Sequence, residues 1–494
     1  MNAQTFTTAN EPEVQHRFEN QRQTNQKEKT MNSQTAVAIT EPEIQALVEN
    51  QRQYFRSNTT RPVEFRLKQL EKFRDLIHRY EDELYAAIDK DFGKSKYQTQ
   101  MTELFPLFEE LKTAIESVKK WSKPRKVATN LLNQPGKSYI VPEPLGVTLV
   151  IGAWNFPYNL SLIPVVGSMV AGNTTVLKPS ELPAETSRVM AKLINENFDP
   201  NYLRVIEGAI PETTALLNQR FDKIFFTGSP QVGKIVNKAA APHLTNVTLE
   251  LGGKNPAIFA EDAAVNVGVK RLIWAKFVNS GQLCLAPDYV LVHRSIKDKV
   301  LNRMVYEIKK HNYSVENKNF VRIINERNFD RVSALIDPDK VYYGGETNRE
   351  ERIIQPTVMH NVSVNDAVMQ DEVFGPIISV LEYETLDEAF DIVKSFEKPL
   401  AAYLFANEKA TKERFLAEIP FGSGAINDAV MQNTNTNLPF GGVGDSGIGR
   451  YHGEYSFECF SHFKSILEKA NFFESDLKYY GHSDTQLKLI RALS

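Results

Sequence analysis

The sequence predicts an α/β protein whose core is a mainly parallel sheet covered by helices on both faces. Two observations carry that prediction. Short apolar runs of buried-strand type alternate with stretches at helical spacing between residues 147 and 251, the pattern of a parallel sheet packed on both sides. Clusters of glycine and polar residues then fall at the ends of those runs, where such sheets bind ligands. A third observation sets the scale: 494 residues exceed what one core holds, so two or three domains are expected.

Composition narrows the function classes. Hydrophobic residues make up 42% and charged residues 24%, with a formal net charge of -3. No basic excess points to nucleic acid. The two cysteines, Cys284 and Cys459, do not make a disulfide framework, so a reducing compartment is expected. No apolar run is long enough to span a membrane, and no secretory leader is evident. A cytoplasmic protein, or one peripheral to a membrane, is the expectation. No metal site is predicted.

Taken in order, the chain begins with a repeat: MNAQTFTTANEPEVQHRFENQRQ recurs as MNSQTAVAITEPEIQALVENQRQ from Met31. Two copies do not make a solenoid. The reading is a duplicated leader with Met31 an alternative start, and residues 1–40 form an extension expected to be disordered. From 62 to 93 apolar residues sit at helical spacing (Leu67, Leu70, Phe73, Ile77, Tyr80, Leu84, Ile88), with Gly93 the expected stop. A second helix is expected over 103–121. Strands at 147–151, 175–177, 223–227 and 247–251 then alternate with helices at 160–171, 184–195 and 231–241. Beyond Gly253 comes a second α/β region, with a helix over 263–277 and strands at 289–293, 353–359, 377–381 and 401–405. Residues 456–467 alternate in part and are expected to pair as a strand.

The residues able to carry chemistry lie at strand ends. Cys284 follows a Ser280-Gly281 break and precedes a proline turn; it is either a nucleophile or a small buried hydrophobe. Glu250 ends a strand immediately before Leu251-Gly252-Gly253-Lys254, whose paired glycines favour close backbone approach; it is either a surface residue at the strand end or a base beside that turn. A carboxylate there suits a general base serving a thiol. Gly228-Ser229 opens a helix that includes Gly233, offering free N–H groups to a pyrophosphate. Lys178 and Glu181 follow the second strand, where an acid holds ribose hydroxyls, although Ser180 or Glu181 capping a helix reads as well. Asn155, after the first strand, either donates to an oxyanion or caps a turn.

Together, and in this order, these segments resemble the aldehyde dehydrogenase superfamily from about residue 40 to the C-terminus. LELGGKNP at 249–256 and GQLCLAPDYV at 281–290 are the most specific, and the interval from Glu250 to Cys284 is the family's. The Ala-Pro-Asp after Cys284 and PFGGVGDSGIGRYHG at 439–453 are similar to the class 3 branch, which acts on fatty and aromatic aldehydes. The resemblance implies a Rossmann-type NAD(P)-binding domain at 41–136 and 146–250 and an α/β catalytic domain at 251–437. It also implies a small β oligomerisation arm at 137–145 and 454–470, with a tail at 471–494. A homodimer is implied, as is typical of class 3.

The cofactor is expected to be NAD, with NADP tolerated, since the Glu181 carboxylate repels a 2′-phosphate. The residues implied to hold it are Trp154, Lys178, Glu181, Gly228, Ser229, Gly233 and Leu251, with Glu372 and Phe374 around the nicotinamide ribose and ring. Cys284 would attack the aldehyde, Asn155 would stabilise the oxyanion, and Glu250 would activate water against the thioester. Branches that pass the acyl group to another acceptor generally lack this glutamate. Leu283 and Leu285 depart from the threonine and valine common in class 3. With Trp154, Tyr158 and Phe440 they read as an apolar entrance for medium- to long-chain, aromatic or isoprenoid aldehydes, or else as core. The mildly amphipathic C-terminal segments gate that entrance, touch a membrane surface or pack on the body. An acyl-transferring or reductive enzyme of the same fold, and a catalytically silent scaffold, remain the alternatives.

Overall fold

Helices dominate the first part of the chain in a computed structural model that describes residues 39–474, 479 and 483–493. The first repeat copy, the expected disorder before Ile39 and the Leu477–Tyr480 segment's Leu477, Lys478 and Tyr480 lie outside the described residues. The helix Glu41–Arg56 buries Ile44 and Val48, and its Gln51 side chain donates to Thr175 O (3.1 Å) and Pro200 O (3.0 Å).

The single helix expected over 62–93 is two, Val63–Arg79 and Glu81–Phe92, broken at Tyr80 (φ -93°, ψ 6°). The charges explain the break: His78 and Arg79 close one helix, and Glu81, Asp82 and Glu83 open the next, each sign matching its helix dipole end. Gly93 ends the second in the left-handed region at φ 74°, as expected. The next helix, Phe105–Trp121, is preceded by a π-helical turn, Gln100–Leu104.

Among the described residues eighteen strands follow in chain order: β1 (Arg125–Val127), β2 (Gly136–Pro144), β3 (Val147–Ile151), β4 (Thr174–Lys178), β5 (Leu203–Val205), β6 (Lys223–Thr227), β7 (Asn246–Glu250), β8 (Pro256–Phe259), β9 (Tyr289–His293), β10 (Val341–Tyr343), β11 (Thr347–Asn348), β12 (Ile353–Ile354), β13 (Thr357–Met359), β14 (Ile377–Tyr383), β15 (Ala401–Phe405), β16 (Ser423–Ile426), β17 (Gly447–Ile448) and β18 (Ser461–Lys469). The first large sheet has the order β17-β7-β6-β3-β4-β5 and is parallel except for β17. Strand order reverses between β3 and β6, which makes the carboxyl ends of those two strands the switch point where ligands bind. Every residue of β3, β4 and β6 is buried, which is why their centres read as short apolar runs rather than as an alternation. The helix Pro157–Ala171, buried on all sides, returns the chain from β3 to β4.

The second large sheet has the order β10-β13-β14-β9-β8-β15-β16, parallel except at β10. The strand expected over 353–359 is split into β12 and β13. A three-stranded antiparallel sheet, β1-β2-β18, stands apart from both. It takes in Arg125–Val127, which carried no strand signal in the sequence. The segment expected to be a strand from 456 is first a helix, Glu454–Cys459, and only then the strand Ser461–Lys469. Among the described residues no helix is long and apolar enough to cross a membrane.

Candidate active site

The candidate residues of the first sheet lie at the carboxyl ends of β3, β4, β6 and β7, and those of the second in the loops before β9 and β14. After β3 the chain runs through Trp154 and Asn155 into the helix Pro157–Ala171. Asn155 is buried; its amide Nδ2 donates to Gln282 O (3.1 Å), and its own carbonyl accepts from Asn279 Nδ2 (3.0 Å). The loop bearing Cys284 and the loop after β3 are therefore tied to each other directly.

The Cys284 loop is held in an unusual backbone conformation. Asn279 (φ 53°), Ser280 (φ 53°) and Gly281 (φ 72°) are consecutive left-handed residues, and a Cβ on Gly281 would stand 2.2 Å from Gly375 O. Such strain persists only where surroundings over-determine it. Here Ser280 Oγ donates to Val321 O (2.5 Å) and accepts from Val321 N (3.1 Å), while Gln282 Nε2 donates to Arg322 O (3.1 Å) and its Oε1 accepts from Ile324 N (3.0 Å). Cys284 itself is half-buried. Burial first, then the Glu372 and Glu250 charges, push its thiol well above the ordinary value.

Glu250 ends β7. Its backbone is locked on both sides: its carbonyl accepts from Gly228 N (3.0 Å), and it pairs with Gly447 of β17. Its carboxylate is 1% exposed, and neither oxygen has a hydrogen-bond partner. Burial, reinforced by Cys459, holds its pKa well above the usual carboxylate range. A buried carboxylate without partners costs stability. The folded state thus holds the proton more tightly than the unfolded state, so stability present below pH 4.5 is lost as pH rises through the folded value. Glu250→Gln removes that loss. Its melting temperature is expected to gain on the wild type's as pH rises above 4.5, the difference in stability growing by up to about 1.4 kcal/mol per pH interval of one until the folded value is passed. Parallel melting profiles would contradict this.

The remaining strand ends form a cradle suited to a dinucleotide. Ser229 N-caps the helix Pro230–Ala240, accepting from Val232 N (3.4 Å), so this helix opens at the switch point with the positive end of its dipole there. Gly233 lies under Leu251: a Cβ there would meet Leu251 Cδ2 at 2.7 Å. The Lys178 ammonium is buried, donates to Pro179 O (2.7 Å) and stands 3.7 Å from the half-exposed Glu181 carboxylate. Neither Ser180 nor Glu181 caps the following helix, whose N-cap is Pro183. Across the crevice, a Cβ on Gly252 would sit 2.0 Å from Glu372 Oε2, so the carboxylate as placed packs directly on this glycine. Phe374 (φ 47°) meets Trp154 edge to face at 5.3 Å.

Two of the residues expected at an apolar entrance lie elsewhere. Tyr158 is fully buried and its hydroxyl donates to Leu84 O (2.8 Å), so it packs the helix Pro157–Ala171 against its neighbours. Its position just inside the helix turns it into the core. Leu285 is 1% exposed and its carbonyl accepts from the Tyr403 hydroxyl (2.7 Å), which settles it as core. Leu283 is buried as well. Phe440 bridges Tyr451 by paired backbone bonds and lines a cleft of about 140 Å³ with Leu438, Pro439, Gln432 and His452.

The structure adds residues that the sequence reading passed over. Asn255, fully buried, donates to Cys284 O (2.7 Å) and Ala286 O (3.1 Å) and accepts from Ala401 N (2.9 Å), so one amide clamps the cysteine loop to β15. Asp288 is 2.6 Å from Lys254 Nζ and accepts from Val373 N (3.1 Å), joining the cysteine loop to the Glu372 loop. Lys276, 3.8 Å from Asp288, is fully buried, and burial pulls its ammonium down to about 8. Tyr451 is buried where it feels both Glu250 and Cys284. Lys254, Asn255 and Asp288 sit inside the two most specific motifs. Their proximity to Glu250 and Cys284 was the available signal.

Comparison with known proteins agrees with this geometry. The model of the aldehyde dehydrogenase family matches residues 16–466. Over 446 residues the chain is 43% identical to "Aldehyde dehydrogenase family 3 member H1" of Arabidopsis thaliana, covering 89% of this chain and 92% of that protein. It is 43% identical over 427 residues to the 4,4'-diaponeurosporen-aldehyde dehydrogenase of Staphylococcus aureus, covering 85% and 93%. The solved substrate-bound AldH of Staphylococcus aureus superimposes with a TM-score of 0.88 at 40% identity, over 91% of this chain and 99% of that one. An NAD+ complex of an aldehyde dehydrogenase from Bacillus cereus superimposes with a TM-score of 0.80 at 27% identity, over 88% and 90%. The chain belongs to the aldehyde dehydrogenase family, as an NAD(P)-dependent oxidoreductase of the aldehyde group similar to its class 3 members.

Proposed function

We propose that the protein oxidises hydrophobic aldehydes to carboxylic acids through a thioester on Cys284, which water activated by Glu250 then cleaves. One observation carries this reading: a deeply buried carboxylate with no partner on either oxygen lies within electrostatic reach of a half-buried thiol. A fold keeps such a group at a cost to stability, and a base that must remain free for a transient water accounts for it.

The steps follow from the residues. The Cys284 thiolate adds to the aldehyde carbon and places negative charge on its oxygen. The Asn155 amide and the Cys284 backbone N–H donate to that oxygen, an effect of roughly 3–4 kcal/mol per donor. The bound nicotinamide supplies a hydride acceptor when present. Loss of hydride from the carbon leaves the Cys284 thioester. Glu250 takes one proton from water, the hydroxide adds to the acyl carbon, and the acid leaves as the thiolate is regenerated. The cofactor residues are proposed to be Trp154, Lys178, Glu181, Gly228, Ser229, Gly233, Leu251, Glu372 and Phe374. NAD+ is favoured over NADP+ because a Glu181 carboxylate beside the ribose would repel a 2′-phosphate.

The substrate class is supported by the aromatic Trp154–Phe374 pair beside the Asn155 loop and by the 4,4'-diaponeurosporen-aldehyde named for the Staphylococcus aureus relative. A homodimer is proposed through the three-stranded sheet, whose edge strand β18 carries exposed Phe463 and Leu467.

An aldehyde panel with NAD+ and no acyl acceptor tests the whole reading by reduced-cofactor absorbance. Steady turnover is expected, with kcat/KM for a ten-carbon or longer aldehyde at least about tenfold above that for acetaldehyde, since each buried methylene is worth about 0.8 kcal/mol. Equal values would remove the hydrophobic preference. A single burst without turnover points to acyl transfer to another acceptor. No reduction with any aldehyde points to a silent scaffold.

A further inference from the structure

The helix Pro157–Ala171 begins two residues after Asn155 and has no cap of its own. Its N-cap position is Phe156, which offers no side-chain acceptor, and every residue of the helix is buried, so water does not serve the first N–H groups. The acceptor comes from a distant element. Glu103, in the π-helical turn Gln100–Leu104, points one carboxylate oxygen at Asn159 N (3.1 Å). Its other oxygen pairs with Lys94 Nζ at 2.9 Å, and both side chains are buried to within 2%. The same Lys94 ammonium stands 4.5 Å from the centroid of the Phe156 ring. Asn159 Nδ2 returns a bond to Thr102 O (3.3 Å) in that turn. The ion pair therefore grips the chain on both sides of Pro157, next to Asn155.

A fully buried ion pair contributes little to net stability, and apolar replacements are often neutral or better. What apolar side chains cannot supply is an acceptor aimed at Asn159 N or a cation over Phe156. π-Helical turns recur at functional sites, and this one delivers the carboxylate to the helix end. Resting on the dehydrogenase reading above, we propose that Lys94 and Glu103 are positioning residues that set the Asn155 amide against the oxyanion of the Cys284 adduct. A misplacement of about 1 Å at such a donor costs on the order of 100-fold in rate.

The test is a double-mutant cycle on single-turnover hydride transfer in the full chain. Lys94→Met with Glu103→Leu is expected to slow hydride transfer roughly 30- to 100-fold, with NAD+ affinity within about twofold of wild type. In an Asn155→Ala background the same pair of substitutions is expected to cost about threefold or less, because the donor it positions is gone. Equal losses in both backgrounds mean general damage and overturn the proposal, as does no loss in either. Glu103→Gln, which keeps the volume and one acceptor, carries the same cycle with a smaller loss if the double variant does not fold. A wild type that oxidises no aldehyde would sink the dehydrogenase reading. An active wild type with additive losses sinks only the positioning role.

Discussion

Cys284→Ala is expected to abolish aldehyde-dependent cofactor reduction, by roughly four orders of magnitude or more, while cofactor affinity and melting temperature stay near the wild type's. The loss is large because hydride leaves only from a carbon already bonded to sulfur. Asn155 can orient an aldehyde but cannot supply the electron pair. The loop around Cys284 is fixed by Ser280, Gln282 and Asn255 rather than by the thiol, so alanine leaves the scaffold intact. The thiol also sets a pH signature. Burial, with the Glu372 and Glu250 charges, holds it well above its ordinary value. The wild-type single-turnover rate should therefore climb as pH rises through the neutral range, following the thiolate fraction. Stopped-flow cofactor absorbance measures both. Substantial oxidation by Cys284→Ala would rule out the covalent route.

Glu250→Gln is expected to separate the two halves of the reaction. Thioester formation should continue and yield one burst of reduced cofactor per site. Steady-state turnover should fall by about 10²- to 10⁴-fold, the usual weight of a general base. Intact-protein mass spectrometry should then find the chain heavier by one acyl group, located on Cys284. Glutamine keeps the shape of the side chain and the β7 backbone bonds to Gly228 and Gly447, so misfolding does not explain such a result. In the wild type, hydrolysis should weaken as pH falls, because the buried carboxylate takes up its proton above the usual carboxylate range. Unchanged steady turnover in Glu250→Gln would assign the base elsewhere.

The alternation of apolar runs and helical stretches determined the α/β class and placed β3, β4, β6 and β7 to within a residue or two, because strands buried on both faces leave a local imprint. The capping glycine at 93 was legible because a left-handed helix end favours the residue without a Cβ. Cys284, Glu250 and Asn155 were legible as residue types at strand and loop ends, and the ordered motifs named their family. The break at Tyr80 was present in the charges but hidden by unbroken apolar spacing. Tyr158 looked like a lining residue and is core, and Leu285, which read as lining or core, is core, since direction from the backbone is decided by packing and not by neighbours in sequence. The partners that hold the site were beyond reach of local pattern. Asn255 touches the Cys284 loop and β15, Asp288 joins Lys254 to Val373, and Glu103 reaches Asn159 from a separate turn. The sequence by itself singled out the groups proposed to do the chemistry. Only the tertiary structure decided their surroundings: a thiol that burial makes a weak acid, a carboxylate left without partners, and an amide held between two loops. Those properties arise from desolvation and from bonds between residues far apart in the chain, and neither exists until the chain has folded.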